Sequence, residues 1–260
     1  MASLWQRLFG GAAAQTELLP PPVASLAGLG TDMHSHLLPG LDDGAETVEH
    51  SLELLRSLRD LGFRKLVMTP HIMGDFYKNT PESVRAALAM LREAAEAAGL
   101  GDVALECAAE YYLDEFLGRK LTDGTEMLTF GGEKRYLLFE TSYMNEPLNF
   151  YDIVFELKAQ GYCPVLAHPE RYTYLYGRFA ELEKMRRDYG VLMQVNLNSL
   201  AGYYSPGARK VSEQLIDAGL VDFVGTDTHH LRHTETLLKR VAPLPYLTKL
   251  LQLPLLNPTL

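Results

Sequence analysis

The chain has 260 residues, with 24 Lys and Arg against 33 Asp and Glu and a formal net charge of −9. That balance, with no basic stretch interleaved with aromatics, argues against nucleic acid as a partner. An apolar content of 47% is enough for one large α/β domain with a full core. The two cysteines, Cys107 and Cys163, sit in apolar strand-like surroundings and read as buried reduced thiols of a cytoplasmic protein.

Residues 1–29 read as an N-terminal extension: a slightly amphipathic start, too short and broken for a signal peptide, then an Ala-, Pro- and Leu-rich tether. No transmembrane segment is expected, since no apolar window approaches the needed length. The main domain spans 30–242, and the Leu- and Pro-rich residues 243–260 form a C-terminal extension, docked or an oligomer contact. Within the domain, strand-like runs at 30–34, 65–69, 103–109, 136–140, 163–167, 191–195 and 221–225 alternate with helical patterns. The first helix is expected over 45–61, from the spacing of Val48, Leu52, Leu55 and Leu58. The second opens at Pro81 with Thr80 as its N-cap and runs to Gly99. Further helices are expected near 149–160, 178–188 and 207–219. About seven strand–helix units, with no Gly-rich nucleotide loop after any strand, predict a closed or nearly closed parallel α/β barrel.

The strand-like runs lead into residues of ligand type. The groups are Asp32-Met33-His34-Ser35-His36, Thr69-Pro70-His71, Ala109-Glu110, Glu140, Ala167-His168-Pro169-Glu170-Arg171 and Asp227-Thr228-His229. In a parallel barrel all strands finish at one rim, so these distant segments converge on a single site. His34 and His36 alternate along an extended chain and face the same way, and Asp227 and His229 repeat that geometry. Imidazoles and carboxylates without Cys suit Mn, Fe or Zn held for hydrolysis. Glu110 and Glu140 each end an apolar run, where a buried carboxylate is costly unless paired or bound to a cation. In Asp42-Asp43-Gly44, one aspartate also suits an N-cap and turn before the helix at 45. His50 and His233 read as solvated helix positions, and His230 faces away from His229. Arg171 is either a salt-bridge partner of Glu170 or another carboxylate, or a bidentate grip on phosphate; Arg232 is a second candidate of that kind. A cysteine-based phosphatase is excluded, because the positions where its phosphate-loop arginine would follow Cys163 and Cys107 hold Pro169 and Leu113.

The run from Asp32 to Gly44, with the later His71, Glu110, His168–Arg171 and Asp227–His229 motifs in matching order, closely resembles the polymerase-and-histidinol-phosphatase (PHP) superfamily. More narrowly it is similar to the bacterial manganese-dependent protein-tyrosine phosphatases of the CpsB/CapC/YwqE type, over about residues 30–240. The resemblance implies a distorted (β/α)7 TIM-like barrel, the PHP fold, holding three divalent metal ions: manganese first, with Fe, Zn or Mg as alternatives. Carried over by motif, His34, His36, Glu110 and Asp227 would hold the first ion. Glu110 would bridge to a second completed by Glu140 and His168, and Asp43, His71 and His229 would hold the third. Arg171 matches the phosphate-binding arginine, whereas Arg232 lies closer to the Asp-x-His motif than the family's second arginine. The expected reaction is hydrolysis of phosphotyrosine by a metal-activated hydroxide, with Asp43 and His229 as candidate acids where not committed to metal. The implied partner is the tyrosine-rich tail of a bacterial tyrosine autokinase controlling capsule or exopolysaccharide synthesis. Alternatives are another PHP phosphoesterase, such as a histidinol-phosphate phosphatase, or a catalytically silent metal-binding module.

Overall fold

The computed structural model of the chain describes residues 25–260, so residues 1–24 of the expected N-terminal extension lie outside the described residues. From there strands and helices alternate: β1 (Thr31–Asp32), α1 (Val48–Asp60), β2 (Lys65–Met68), β3 (His71–Ile72), α2 (Pro81–Ala97), β4 (Ala104–Cys107) and β5 (Glu110–Tyr112). They continue as α3 (Glu115–Thr122), β6 (Tyr136–Glu140), α4 (Phe150–Ala159), β7 (Cys163–Ala167), α5 (Phe179–Arg187), β8 (Leu192–Asn196), α6 (Pro206–Asp217) and β9 (Phe223–Gly225). Helices α7 (Leu231–Thr236) and α8 (Pro245–Leu251) follow the last strand.

All strand pairs are parallel, in a three-stranded sheet β1-β2-β4 and a six-stranded sheet β3-β5-β6-β7-β8-β9. Two expected strands, at 65–69 and 103–109, each continue into a second short strand, β3 and β5. Proline at position 70 has no N–H to donate, which interrupts the ladder where β2 gives way to β3. Backbone bonds still span the joint, from Ala108 N to Met68 O and from Glu110 N to Pro70 O. A parallel bridge joins Ser35 to Thr228, with His36 N donating to Thr228 O and Asp227 N to His34 O.

Local signals place the helices. Thr80 and Ser83 form a capping box ahead of Pro81, as the sequence predicts for α2. Helix α1 starts at Val48 with Thr47 as its N-cap, so neither Asp42 nor Asp43 caps it. Helix α3 was not expected; its short apolar stripe is Leu117 and Leu121, and the Asp114 side chain accepts from Leu117 N to open it.

Strand alternation divides the core in two. Leu66, Met68, Leu137, Phe139, Leu166 and Val224 face the helices within the large cluster. Val67, Leu138, Val165, Ala167 and Phe223 point the other way, into a smaller cluster with Met33 and Ala108. Its far end is filled by Phe130, Tyr136 and Phe223 in edge-to-face contacts, with Leu256 and Leu260 packed against it. Glu140 follows Leu138 by two residues on that inner face, so the inner positions turn polar at the C-terminal strand ends.

Asn257 anchors the C-terminal segment. Its amide donates to Thr31 O and Val224 O and accepts from Val224 N, fully buried. Asn257→Ala strands these backbone groups and is expected to cost about 2–4 kcal/mol in urea unfolding, against under about 0.5 for the exposed Thr259→Ala. Equal midpoints for the two variants would contradict this role.

Candidate metal centre

Register brings the ligands together. Pairing of β3 with β5 sets His71 directly beside Glu110, and pairing of β5 with β6 sets Tyr112 beside Glu140. Parallel extension of the chain past β1 and β9 lays His34–His36 along Asp227–His229. Two glycines permit the close approach: a Cβ on Gly225 would strike the His34 Cβ at 2.6 Å, and one on Gly44 would collide with the backbone and Cβ of His36. His168 and Asp227, each just past its strand, adopt left-handed φ values of 33° and 50°. Such backbone strain in non-glycine residues is characteristic of functional sites.

All nine expected ligands converge, in four overlapping groups whose donor atoms lie within 4.8 Å of one another. They are His36, Asp43, His71 and His229; His34, His36 and Asp227; His34, Glu110 and His168; and His71, Glu110 and Glu140. The Glu110 carboxylate is the hub, with imidazole nitrogens of His34, His36, His71 and His168 at 3.3, 3.5, 3.1 and 3.0 Å. Glu110 Oε2 and His71 Nδ1 are buried and, though close, lack the alignment of a hydrogen bond with each other or any other group. Paired nitrogen and oxygen donors aimed at a common point, with no sulfur, are the donor set of a hydrolytic cation site.

The facing charges of the cluster shift the titration of its members. Burial works against a charge on His34, but Glu110 and Asp227 overcome it and raise its pKa. His36 is raised well above the ordinary value, burial being outweighed by Asp42 and Asp227. For His71 burial is likewise outweighed by Glu110 and Glu140, and its pKa rises to about 9. Burial opposes ionisation of Glu110 and Asp227 too, yet the facing imidazoles hold both well below the carboxylate range.

Several supporting residues escaped the sequence reading. Asp42, in place of capping a helix, has its carboxylate 2.7 Å from His36 Nδ1 and accepts from the backbone N of His71 and Gly44. Burial disfavours its charge, but His36 and His71 keep it ionised. Gln194 Oε1 accepts from His34 Nδ1 at 2.8 Å, and Gln194 passes a hydrogen bond on to Asn196, which donates to Asp227 at 2.7 Å. Such outer partners fix imidazole tautomers and orient ligating carboxylates. The signal was present: Gln194 and Asn196 alternate at the end of an apolar strand just as His34 and His36 do.

Arg171 pairs with Asp227 at 2.8 Å, not with Glu170, and lies between the rings of Tyr143 and Tyr204 at 4.6 and 4.1 Å. Glu170 is instead buried and accepts from Asn196 N and Ser199 Oγ. Arg232 does not line the cleft of about 200 Å³ over the cluster; it is exposed on α7, its guanidinium 5.8 Å from the Tyr203 ring. His233 is buried rather than solvated, accepts from His229 N at 3.1 Å, and is held neutral by burial with its pKa pushed down to about 3. His230 reaches the cleft rim, whereas His50 stays on α1 away from it. Cys107 and Cys163 are unpaired but only half-buried, short of the full burial expected.

A parallel α/β fold with a buried His–carboxylate cluster at the strand ends defines a metallohydrolase-type site. The family model for capsular polysaccharide synthesis, CpsB/CapC, matches residues 30–246, and the chain belongs to that family. CapC of Staphylococcus aureus is 30% identical over 213 residues, covering 81% of each chain. The tyrosine-protein phosphatase YwqE of Bacillus subtilis is 29% identical over 225 residues, covering 80% of this chain and 82% of that one. Among solved structures, a chain from the work on YwqE of Bacillus subtilis and CpsB of Streptococcus pneumoniae, described as metal-dependent tyrosine phosphatases, superposes with a TM-score of 0.72 at 29% identity. It covers 87% of this chain and 94% of that one.

Protons on His34, His36 and His71 must leave before these nitrogens coordinate, so cation affinity rises with pH from the ordinary histidine value of 6.5 up to about 9. The same raised pKa of His71 stabilises the metal-free fold fully below 6.5, a contribution lost as pH rises through about 9. Calorimetry of Mn binding in two buffers of different ionisation enthalpy should report release of on the order of one or more protons; pH-independent binding would contradict the cluster's charge balance. Asp42→Asn should weaken cation binding about 10–100-fold in chelator competition, and an unchanged affinity would remove Asp42 from the centre.

Proposed function

We propose that the chain is a metal-dependent protein-tyrosine phosphatase, acting in the cytoplasm on the phosphorylated tyrosine-rich tail of a bacterial tyrosine autokinase that controls capsule or exopolysaccharide synthesis. The observation that carries this reading is the family match across residues 30–246 together with convergence of all nine ligand-type side chains beside Arg171. Family membership alone supports a role in capsular polysaccharide synthesis; the kinase tail is the substrate we infer from the phosphatase names of the relatives. We also read the two parallel sheets, bridged at Ser35 and Thr228, as parts of one distorted seven-unit barrel of the PHP type.

His34, His36, Asp43, His71, Glu110, Glu140, His168, Asp227 and His229 would hold three divalent cations, manganese first. When bound, the cations supply a nucleophile from water near neutral pH and neutralise phosphoryl charge. The protein's own groups then do the positioning. Arg171 engages Asp227 through Nη1, which leaves its other donors for phosphoryl oxygens. Its side chain is 20% exposed, enough for phosphate to reach it. Asp42 and Gln194 hold the His36 and His34 rings in place. Asp43, 57% exposed and facing His71 and His229 at 3.6 and 3.4 Å, is placed to meet the substrate side of the cleft. A phenolate leaving group, with a free pKa of about 10, needs only weak proton assistance to depart. The net charge of −9 repels an anionic tail at long range, so attraction must be local, at the cations and Arg171.

The test is phosphate release from a tyrosine-phosphorylated peptide by metal-stripped protein titrated with Mn, Fe, Zn and Mg, with histidinol phosphate as the rival substrate. Turnover should require a cation, vanish in His34→Ala and fall roughly 10²–10³-fold in Arg171→Ala, the cost of losing one preorganised charge donor. Cys107→Ser and Cys163→Ser should retain it. Faster turnover of histidinol phosphate, or bound metal without turnover of either substrate, would replace this reading by the corresponding alternative.

A further inference from the structure

Tyr143 carries the more solvent-open of the two phenol rings among the described residues lining the cleft beside Arg171. Among the described residues lining it, all but two are acidic, imidazole or the Arg171 guanidinium; the exceptions are Tyr143 and Tyr204. Tyr204 is turned inward, its hydroxyl within 3.3 Å of Asn196 Nδ2 and 3.4 Å of Asp227 Oδ2. Tyr143 stands at the mouth, 39% exposed, with its ring 4.6 Å from the Arg171 guanidinium and 5.8 Å from the His168 ring.

Tyr143 is also held firmly, through its backbone. Its carbonyl accepts from both the N–H and the hydroxyl of Thr173, at 2.8 and 2.9 Å. Just before it, Thr141 N donates to the Tyr172 hydroxyl, which in turn donates to Ala167 O at the end of β7. The Ser142 hydroxyl accepts from Met144 N and Asn145 N, closing the turn. The loop after β6 is therefore tied to the same segment that carries His168 and Arg171. A backbone anchored this way sets the Tyr143 ring beside Arg171 as a wall before a substrate arrives, which lowers the ordering cost of binding against it.

We propose that Tyr143, placed beside Arg171 at the cleft mouth, determines the preference of this site for aryl over alkyl phosphate monoesters by packing against the phenol ring of the substrate. The inference rests on the phosphatase reading above and deepens it. Phosphate gripped by Arg171 brings the attached ring alongside the tyrosine that flanks the same guanidinium. A serine or threonine phosphate has no ring to place there, and gains nothing from the wall. Aromatic pairs of this kind are worth roughly a 2- to 13-fold effect on binding.

The experiment compares kcat/KM for a phosphotyrosine peptide and for the matching phosphoserine peptide, using Mn-loaded full chain, Tyr143→Phe and Tyr143→Leu. Tyr143→Phe should keep the aryl-to-alkyl ratio, and Tyr143→Leu should lower it roughly tenfold, mainly through KM. Tyr77→Leu serves as the rival, since Tyr77 stacks on His71 at 5.4 Å on another side of the cluster. An unchanged ratio in Tyr143→Leu, an equal fall for both substrates, or a ratio that collapses only in Tyr77→Leu would overturn the proposal. Binding separates this from failure of the phosphatase reading. If the parent protein turns over neither peptide, that reading falls, while the ratio of phenyl phosphate to inorganic phosphate affinity, measured calorimetrically in parent and Tyr143→Leu, still decides the role of Tyr143.

Discussion

A carboxylate wholly removed from water, Glu110, faces four imidazoles, and the rest of the site is arranged around that fact. An ionised carboxylate buried without partners would cost several kcal/mol. Here the cost is offset by imidazoles brought from three separate chain segments, His34 with His36, then His71, then His168. The parallel strands make this possible, because their C-terminal ends lie on one side and register places His71 beside Glu110. The raised pKa values of His34, His36 and His71 let protons supply part of the positive charge, and a bound cation would take their place.

The same constraint shapes the backbone and the outer partners. His168 and Asp227 adopt left-handed conformations to aim their side chains inward, a local strain sustained by the surrounding structure. Asp227 is held by Asn196, Tyr204 and Arg171 as well as by the imidazoles, so an aspartate in a strained conformation is fixed from several sides. Arg171 shares that carboxylate while keeping aromatic rings on both sides. Its guanidinium is thereby held in one orientation, the preorganisation that the proposed phosphate grip would need.

Much of this was legible in the sequence, for a physical reason. Strand-end placement and two-residue alternation are local features, and they pick out His34 with His36 and Asp227 with His229. A lone carboxylate after an apolar run is also a local anomaly, which exposes Glu110 and Glu140. Asp42 was harder, because capping a nearby helix and orienting His36 are equally consistent with its neighbours in sequence. The choice is made by His71, whose backbone N–H reaches Asp42 only through the fold. Gln194 and Asn196 carry no charge to draw the eye, and only the structure shows whom they touch. His233 was read as a solvated helix position, but α7 turns it inward while carrying Arg232 to the surface, a choice of face that its neighbours in sequence do not fix. The expected strand at 65–69 ends ahead of Pro70, which lacks an N–H, but the short β3 just beyond it, His71–Ile72, was not foreseen.

The central claim, that this cluster is a centre for three divalent cations, is tested most directly by counting metal. Chelator-stripped chain is loaded with Mn, freed of excess, and analysed for metal per polypeptide, with Glu110→Gln in parallel. The account predicts three cations in the parent and a loss of at least one in Glu110→Gln, accompanied by a lower melting temperature of the loaded protein. A parent chain that retains no cation, or a Glu110→Gln variant that retains the full complement, would contradict it.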